Sequence, residues 1–211
     1  MNPSQTAAIF VGYQNDYFAK DGILRGVVED AGRVDQVLAN TMAFIRAVAG
    51  TGITLISTPI VLAPTYRALA HPVGILNSMK EFGAFTEGSS GAATIPEFLE
   101  LGERITYVSG KVGFNAFDGT ALDEQLAARG IKNVLVTGMV TSLCIDSTGR
   151  AAYERGFNVS ILSDCSSART AHEHAFYCDN IFPLYARALD SGVAAAELAS
   201  HASSHAPRGD S

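Results

Sequence analysis

The sequence predicts a three-layer α/β/α fold with a mostly parallel central sheet of about five or six strands and helices on both faces. Two observations carry that prediction. Short apolar runs rich in β-branched residues alternate with longer amphipathic stretches, the pattern of βαβ units rather than hairpins. Apolar residues fill 47% of the 211 positions and charged residues only 17%, enough to cover a sheet on both faces without disulfides or a structural metal.

In chain order, the first strand is expected over residues 7–11. A helix over 28–49 follows, because Val34, Val37, Leu38, Met42, Ile45 and Val48 recur on one face and Gly50 and Gly52 stop it. The next strand is expected over 54–57, and the segment 59–94, with four glycines between Gly74 and Gly91, reads as an excursion over the sheet's carboxyl edge. Further strands are expected over 105–108, 133–137 and 158–162. Helices are expected over 120–128, closed by Gly130, and over 144–154, closed by Gly156. A last helix over 170–189 should be interrupted at Pro183, which cannot donate a backbone hydrogen bond. One domain over residues 1–199 and a flexible tail over 200–211 account for the length.

The charge balance narrows the partners. With a net charge of −6 and no Lys/Arg cluster, the chain lacks the footprint that nucleic acid or an anionic membrane requires. No basic segment followed by a long apolar stretch opens the sequence, and a cytoplasmic protein acting on a small molecule is the expectation. The high apolar fraction points to a homo-oligomer, a dimer or tetramer, that buries part of its surface between subunits. Three cysteines, Cys144, Cys165 and Cys178, read as free thiols, and neither they nor five scattered histidines form a metal-binding spacing. No metal and no cofactor is expected.

Three stretches carry candidate chemistry. Residues 133–156 read as a buried strand, a turn around Gly138 and a helix opening near Cys144, where free N–H groups and the positive dipole end favour a thiolate. The plainer reading is a small buried cysteine at a strand-to-helix corner. Residues 107–126 place Lys111 after a strand and before Phe114 and Phe117; it is either a cation held beside the thiol or a solvated edge charge. Residues 7–24 lead a strand into Tyr13, Gln14, Asn15 and Asp16, which either face the site or tie down the following loop. Tyr13, Tyr66, Phe82, Phe85 and Phe114 are candidates for an apolar pocket wall, or for core.

Together these stretches resemble the isochorismatase-like cysteine hydrolases, the family of nicotinamidases and related small-amide hydrolases. Its members show a D-x-Q-x-D-F pattern, a K-x-x-F-x-x-F stretch and a G-x-x-T-x-x-C turn. Here these read Gly12-Tyr13-Gln14-Asn15-Asp16-Tyr17, Lys111 to Phe117 and Gly138 to Cys144, in the same order. The resemblance implies Cys144 as nucleophile, Lys111 as the cationic member of a triad, and a cis peptide at Met139–Val140. That peptide would aim the N–H groups of Val140 and Cys144 at one point, as an oxyanion hole. It also implies a pocket lined by Gly12, Tyr13 and Phe114.

Two departures qualify what the resemblance implies. Gly12 stands where the family has the aspartate that carries the proton, a function worth about 10²–10⁴-fold in rate. Asp16 occupies the family's second acidic position, structural by resemblance and a base only in a remodelled loop; Glu81 and His172 are the other candidates to reach the pocket. Residues 57–62, Ser-Thr-Pro-Ile-Val-Leu, lack the Asp-x-His ligands of metal-dependent nicotinamidases. Three functions follow: a cysteine-dependent hydrolase of a small amide or related C–N bond through a thioester, with an atypical triad; an inactive relative binding a small ligand or protein partner in the same pocket; and, fitting least, a vinyl-ether hydrolase, whose chemistry needs the aspartate and not the cysteine.

Overall fold

The computed structural model describes residues 1–69 and 71–204. A sheet of six strands, β1 Thr6–Val11, β2 Thr54–Thr58, β3 Thr106–Tyr107, β4 Asn133–Met139, β5 Asn158–Ser167 and β6 Arg187–Leu189, runs in the order β3-β2-β1-β4-β5-β6. Every pairing is parallel. Helices α1 Asn15–Phe18, α2 Ala31–Ala47, α3 Ile75–Phe82, α4 Pro96–Leu99, α5 Leu122–Ala128, α6 Asp146–Glu154, α7 Ala171–Phe176 and α8 Ser191–Ser204 connect or flank the strands. The three-layer fold read from the sequence is therefore present.

The two faces follow from strand alternation. Ala8, Phe10, Leu55 and Leu135 face Val34, Val37 and Phe44 of α2 and Leu198 of α8. Ala7, Ile9, Ile56, Val134 and Val136 face Leu122 and Leu126 of α5 and Ala152 of α6. Covered on both sides, these strands need no polar face, which is why they read as continuous apolar runs. Each large side chain sealed there contributes roughly 1.5–3 kcal/mol of burial.

Capping sets the helix boundaries more tightly than periodicity does. The Asp30 side chain accepts the Gly32 N–H at 2.9 Å, so α2 starts at Ala31 and not at residue 28. Thr120 Oγ1 accepts the Leu122 N–H at 3.2 Å, which moves the start of α5 likewise. The expected helix over 170–189 is corrected: α7 ends at Phe176, two turns over Tyr177–Ile181 and Phe182–Leu184 follow, and β6 pairs with β5. Pro183 sits in the second of those turns, and a three-residue edge strand is too short to register as a run. α8 continues through Ser204, and residues 205–211 of the expected tail lie outside the described residues.

Candidate active site

Strand order reverses between β1 and β4, so the chain leaves their carboxyl ends in opposite directions and opens a crevice there. Gly138 lets the two ends close on each other. Its φ is +126°, and a Cβ built on it would stand 2.0 Å from the Val11 carbonyl oxygen. Beyond it the Met139–Val140 peptide is cis, as expected. The Val140 carbonyl then accepts the Leu143 N–H at 3.1 Å and the Ile145 N–H at 3.3 Å, forming one wide turn over Thr141–Ile145 ahead of α6. Cys144 sits in that turn, 4% exposed.

Lys111 arrives from beyond β3, which β2 separates from β1. The backbone beyond β3 forms a bridge between Lys111 and Ile60. Gln14 fixes that bridge from below: its side chain donates to the Ile60 and Ala92 carbonyls at 2.6 and 2.7 Å and accepts the Ile60 N–H at 2.7 Å. Lys111 is fully buried, its Nζ donating to the Gly113 carbonyl and standing 3.6 Å from Cys144 Sγ. Among the described residues Lys111 forms no ion pair with a carboxylate. A buried ammonium is costly unless paired, and a thiolate at this separation offers on the order of 4 kcal/mol at an effective dielectric of about 20.

Cys144 opens on an inner chamber with about 10 Å³ of free space, lined by Tyr17, Ile60, Met79, Phe114 and Leu143 among others. That is the room of one water. Ile75, Leu76, Phe114 and Leu143 also line an outer cleft of about 350 Å³, which reaches Arg169 and Glu173. Those two are joined at 3.1 Å. Burial works to raise the Glu173 carboxyl, but hydrogen bonds from Ser142 and Arg169 outweigh it and hold the group below its ordinary range.

The structure thus brings Cys144, Lys111 and Phe114 together and sets Val140 at the head of the nucleophile's turn. Tyr13 lies elsewhere. It is not among the chamber's lining residues; its ring stacks between Phe18 and Phe98 on the α2 face, and its hydroxyl meets Thr41, Thr137 and the Cys165 carbonyl. Asp16 is also held apart from the chamber: its carboxylate accepts the Phe85 N–H at 2.6 Å and packs against Gly91, fastening the excursion to α1. That is its structural alternative, and Asp16 lines a different cleft with Gly22 and Gly91. Glu81 is exposed and bonded to Asn77, and His172 is exposed on α7. Its neighbour His174 bonds Thr141 at 2.9 Å, and burial, then Arg33, lowers its pKa.

Sequence reasoning missed Tyr17. Gly12 has φ +76°, and a Cβ there would meet Tyr17 Cε2 and Cδ2 at 3.2 and 3.3 Å, so this ring fills the space a side chain at Gly12 would enter. Burial first, then the neighbouring Cys144 and Asp16, raise the Tyr17 phenol well above its usual range. The available signal was its place at the end of the first motif. Among the described residues no group of three or more His, Cys, Asp or Glu is placed to hold a metal ion, and no helix is long and apolar enough to cross a membrane.

Comparison with known proteins places this geometry. The isochorismatase domain matches residues 6–192. A ureidoacrylate amidohydrolase, RutB of Methylobacterium radiotolerans, is 27% identical over 99% of this chain and 84% of that protein. YecD of Escherichia coli O157:H7, an uncharacterized isochorismatase family protein, is 40% identical over 35% of this chain, and the match spans 39% of its own length. A cysteine hydrolase from Pseudomonas syringae pv. phaseolicola superposes with a TM-score of 0.81 at 18% identity, covering 95% of each chain.

Proposed function

Because the chain belongs to the isochorismatase family, we propose that it is a cysteine-dependent hydrolase of a small-molecule amide or related C–N bond. The observation that carries the reading is the buried Lys111 ammonium 3.6 Å from the Cys144 sulfur, with no carboxylate partner among the described residues. Cys144 would react as the thiolate, with the Lys111 amine as its neighbour. The thiolate attacks the carbonyl carbon, the N–H groups of Val140 and Cys144 receive the oxyanion, and water releases the acid from a thioester. The inner chamber is too small for a carbonyl group, so a substrate entering by the outer cleft must displace side chains such as Leu76 and Phe114. The RutB relative supports an amide as the bond cleaved, and the Pseudomonas neighbour supports the sulfur as nucleophile.

The test is an acyl-enzyme trap. Incubation with a panel of small primary amides and N-carbamoyl compounds should release ammonia and leave a hydroxylamine-labile mass adduct on Cys144. Ammonia release that persists in Cys144→Ala would contradict the reading.

One observation favours a second reading, an inactive relative that binds a small ligand. Among the described residues no carboxylate or imidazole lines the chamber over Cys144, and Gly12 supplies none. Saturable binding of a panel amide, without turnover or adduct, would select it.

A further inference from the structure

Among the described residues the chamber over Cys144 has no carboxylate to move a proton, and its wall holds one ionisable group besides the thiol. Tyr17 is 2% exposed, lines the chamber with Cys144, and packs at 5.4 Å against Phe85. Its ring edge lies against Gly12, in the space that a side chain there would enter, and its hydroxyl is two bonds from the Cε2 that makes this contact. No hydrogen bond to that hydroxyl is found among the described residues, whereas the buried hydroxyls of Tyr13 and Tyr66 are both bonded. The motif shows the same exchange in sequence: the first position loses a carboxylate, Gly12, and the last gains a phenol, Tyr17.

We propose that the Tyr17 hydroxyl is the proton carrier of this site, donating to the leaving group and recovering the proton from water in place of the carboxylate that Gly12 lacks. The proposal rests on the cysteine-hydrolase reading. In the first half, the Cys144 thiolate bonds to the carbonyl carbon, the C–N bond breaks, and the Tyr17 proton passes to the departing nitrogen. In the second, water attacks the thioester, its proton passes to the Tyr17 phenolate, and the C–S bond breaks to return the thiolate to Lys111. A phenol kept neutral by burial and by the nearby sulfur begins each cycle with its proton in place.

Aryl acetates graded from p-nitrophenyl to p-cresyl acetate test this, since a p-nitrophenolate leaves without a proton and a p-cresolate needs one. Acylation of Cys144 is followed by phenol release and by mass in the wild type, Cys144→Ala and Tyr17→Phe. Tyr17→Phe should acylate within twofold of the wild type with p-nitrophenyl acetate and fall about 100-fold behind with p-cresyl acetate. The same deficit at both ends of the series, or none at either, overturns the proposal; the latter is the result expected if Lys111 supplies the proton. A wild type that Cys144→Ala matches throughout overturns the hydrolase reading itself, and the role of Tyr17 with it.

Discussion

The ends of β1 and β4 lie side by side at the reversal of strand order, yet they obey different constraints. At the end of β4 the backbone dictates the residue: Gly138 has the Val11 carbonyl where any Cβ would go, and the turn that follows fixes Cys144. At the end of β1 the contact is looser: Gly12 has φ +76°, and the nearest atoms to a Cβ there are the edge of the Tyr17 ring and the Met139 carbonyl, at 3.2 to 3.4 Å. A side chain at Gly138 would therefore need the backbone to move, whereas one at Gly12 would need a left-handed conformation and a shift of the Tyr17 ring by a few tenths of an ångström.

Substitutions on the two sides sharpen that contrast. On the β4 side, Cys144→Ala should remove amide hydrolysis by about 10⁴-fold or more in kcat while leaving the circular dichroism spectrum unchanged. Lys111→Met should slow alkylation of Cys144 at neutral pH by about 100-fold, read by timed mass spectrometry, because the sulfur loses its counter-charge. The same variant should unfold thermally no earlier than the wild type, since a buried cation carries its own desolvation cost. Denaturant melts should then separate the glycines. Gly138→Ala is expected to cost about 3 kcal/mol or more, through overlap with backbone that cannot yield, and Gly12→Ala about 1–2 kcal/mol, the cost of a left-handed backbone conformation. Equal costs would erase the distinction drawn here.

The smallest effect is a pH dependence. Burial, then Asp164, pushes the Cys165 thiol up to about 12. A thiol raised on folding contributes stability that is complete below its unfolded value and is lost as pH rises through the folded one. Between about pH 9 and 12 the unfolded chain gives up this proton and the folded chain keeps it. The unfolding free energy should fall by roughly 1 kcal/mol per pH unit in that window, and Cys165→Ala should flatten the slope.

Much of the fold was legible because parallel strands covered on both faces write themselves as apolar runs, and glycines such as Gly130 and Gly156 marked where helices stop. That Cys144, Lys111 and Phe114 lie together was legible from motif spacing. β6 was not, since three residues at a sheet edge carry no periodicity. The place of Tyr13 was legible only as two alternatives, because alternation at a strand end does not say which face the next side chain takes; three hydrogen bonds hold it on the α2 side. Asp16 was legible only as two alternatives, and the partner that separates them, the Phe85 N–H, lies 69 residues away in sequence. Tyr17 was hidden for a related reason: the vacancy it fills is at Gly12, and an absent side chain gives no pattern.

The central claim is that one thiol of three is poised as a nucleophile by a buried cation, and competitive alkylation tests it most directly. Burial pushes Cys178 up to about 11 and Cys165 to about 12, so neither offers much thiolate at neutral pH. Limiting iodoacetamide at pH 7, followed by peptide mass spectrometry, should label Cys144 first and by a wide margin. Equal, slow labelling of Cys144, Cys165 and Cys178 would contradict it.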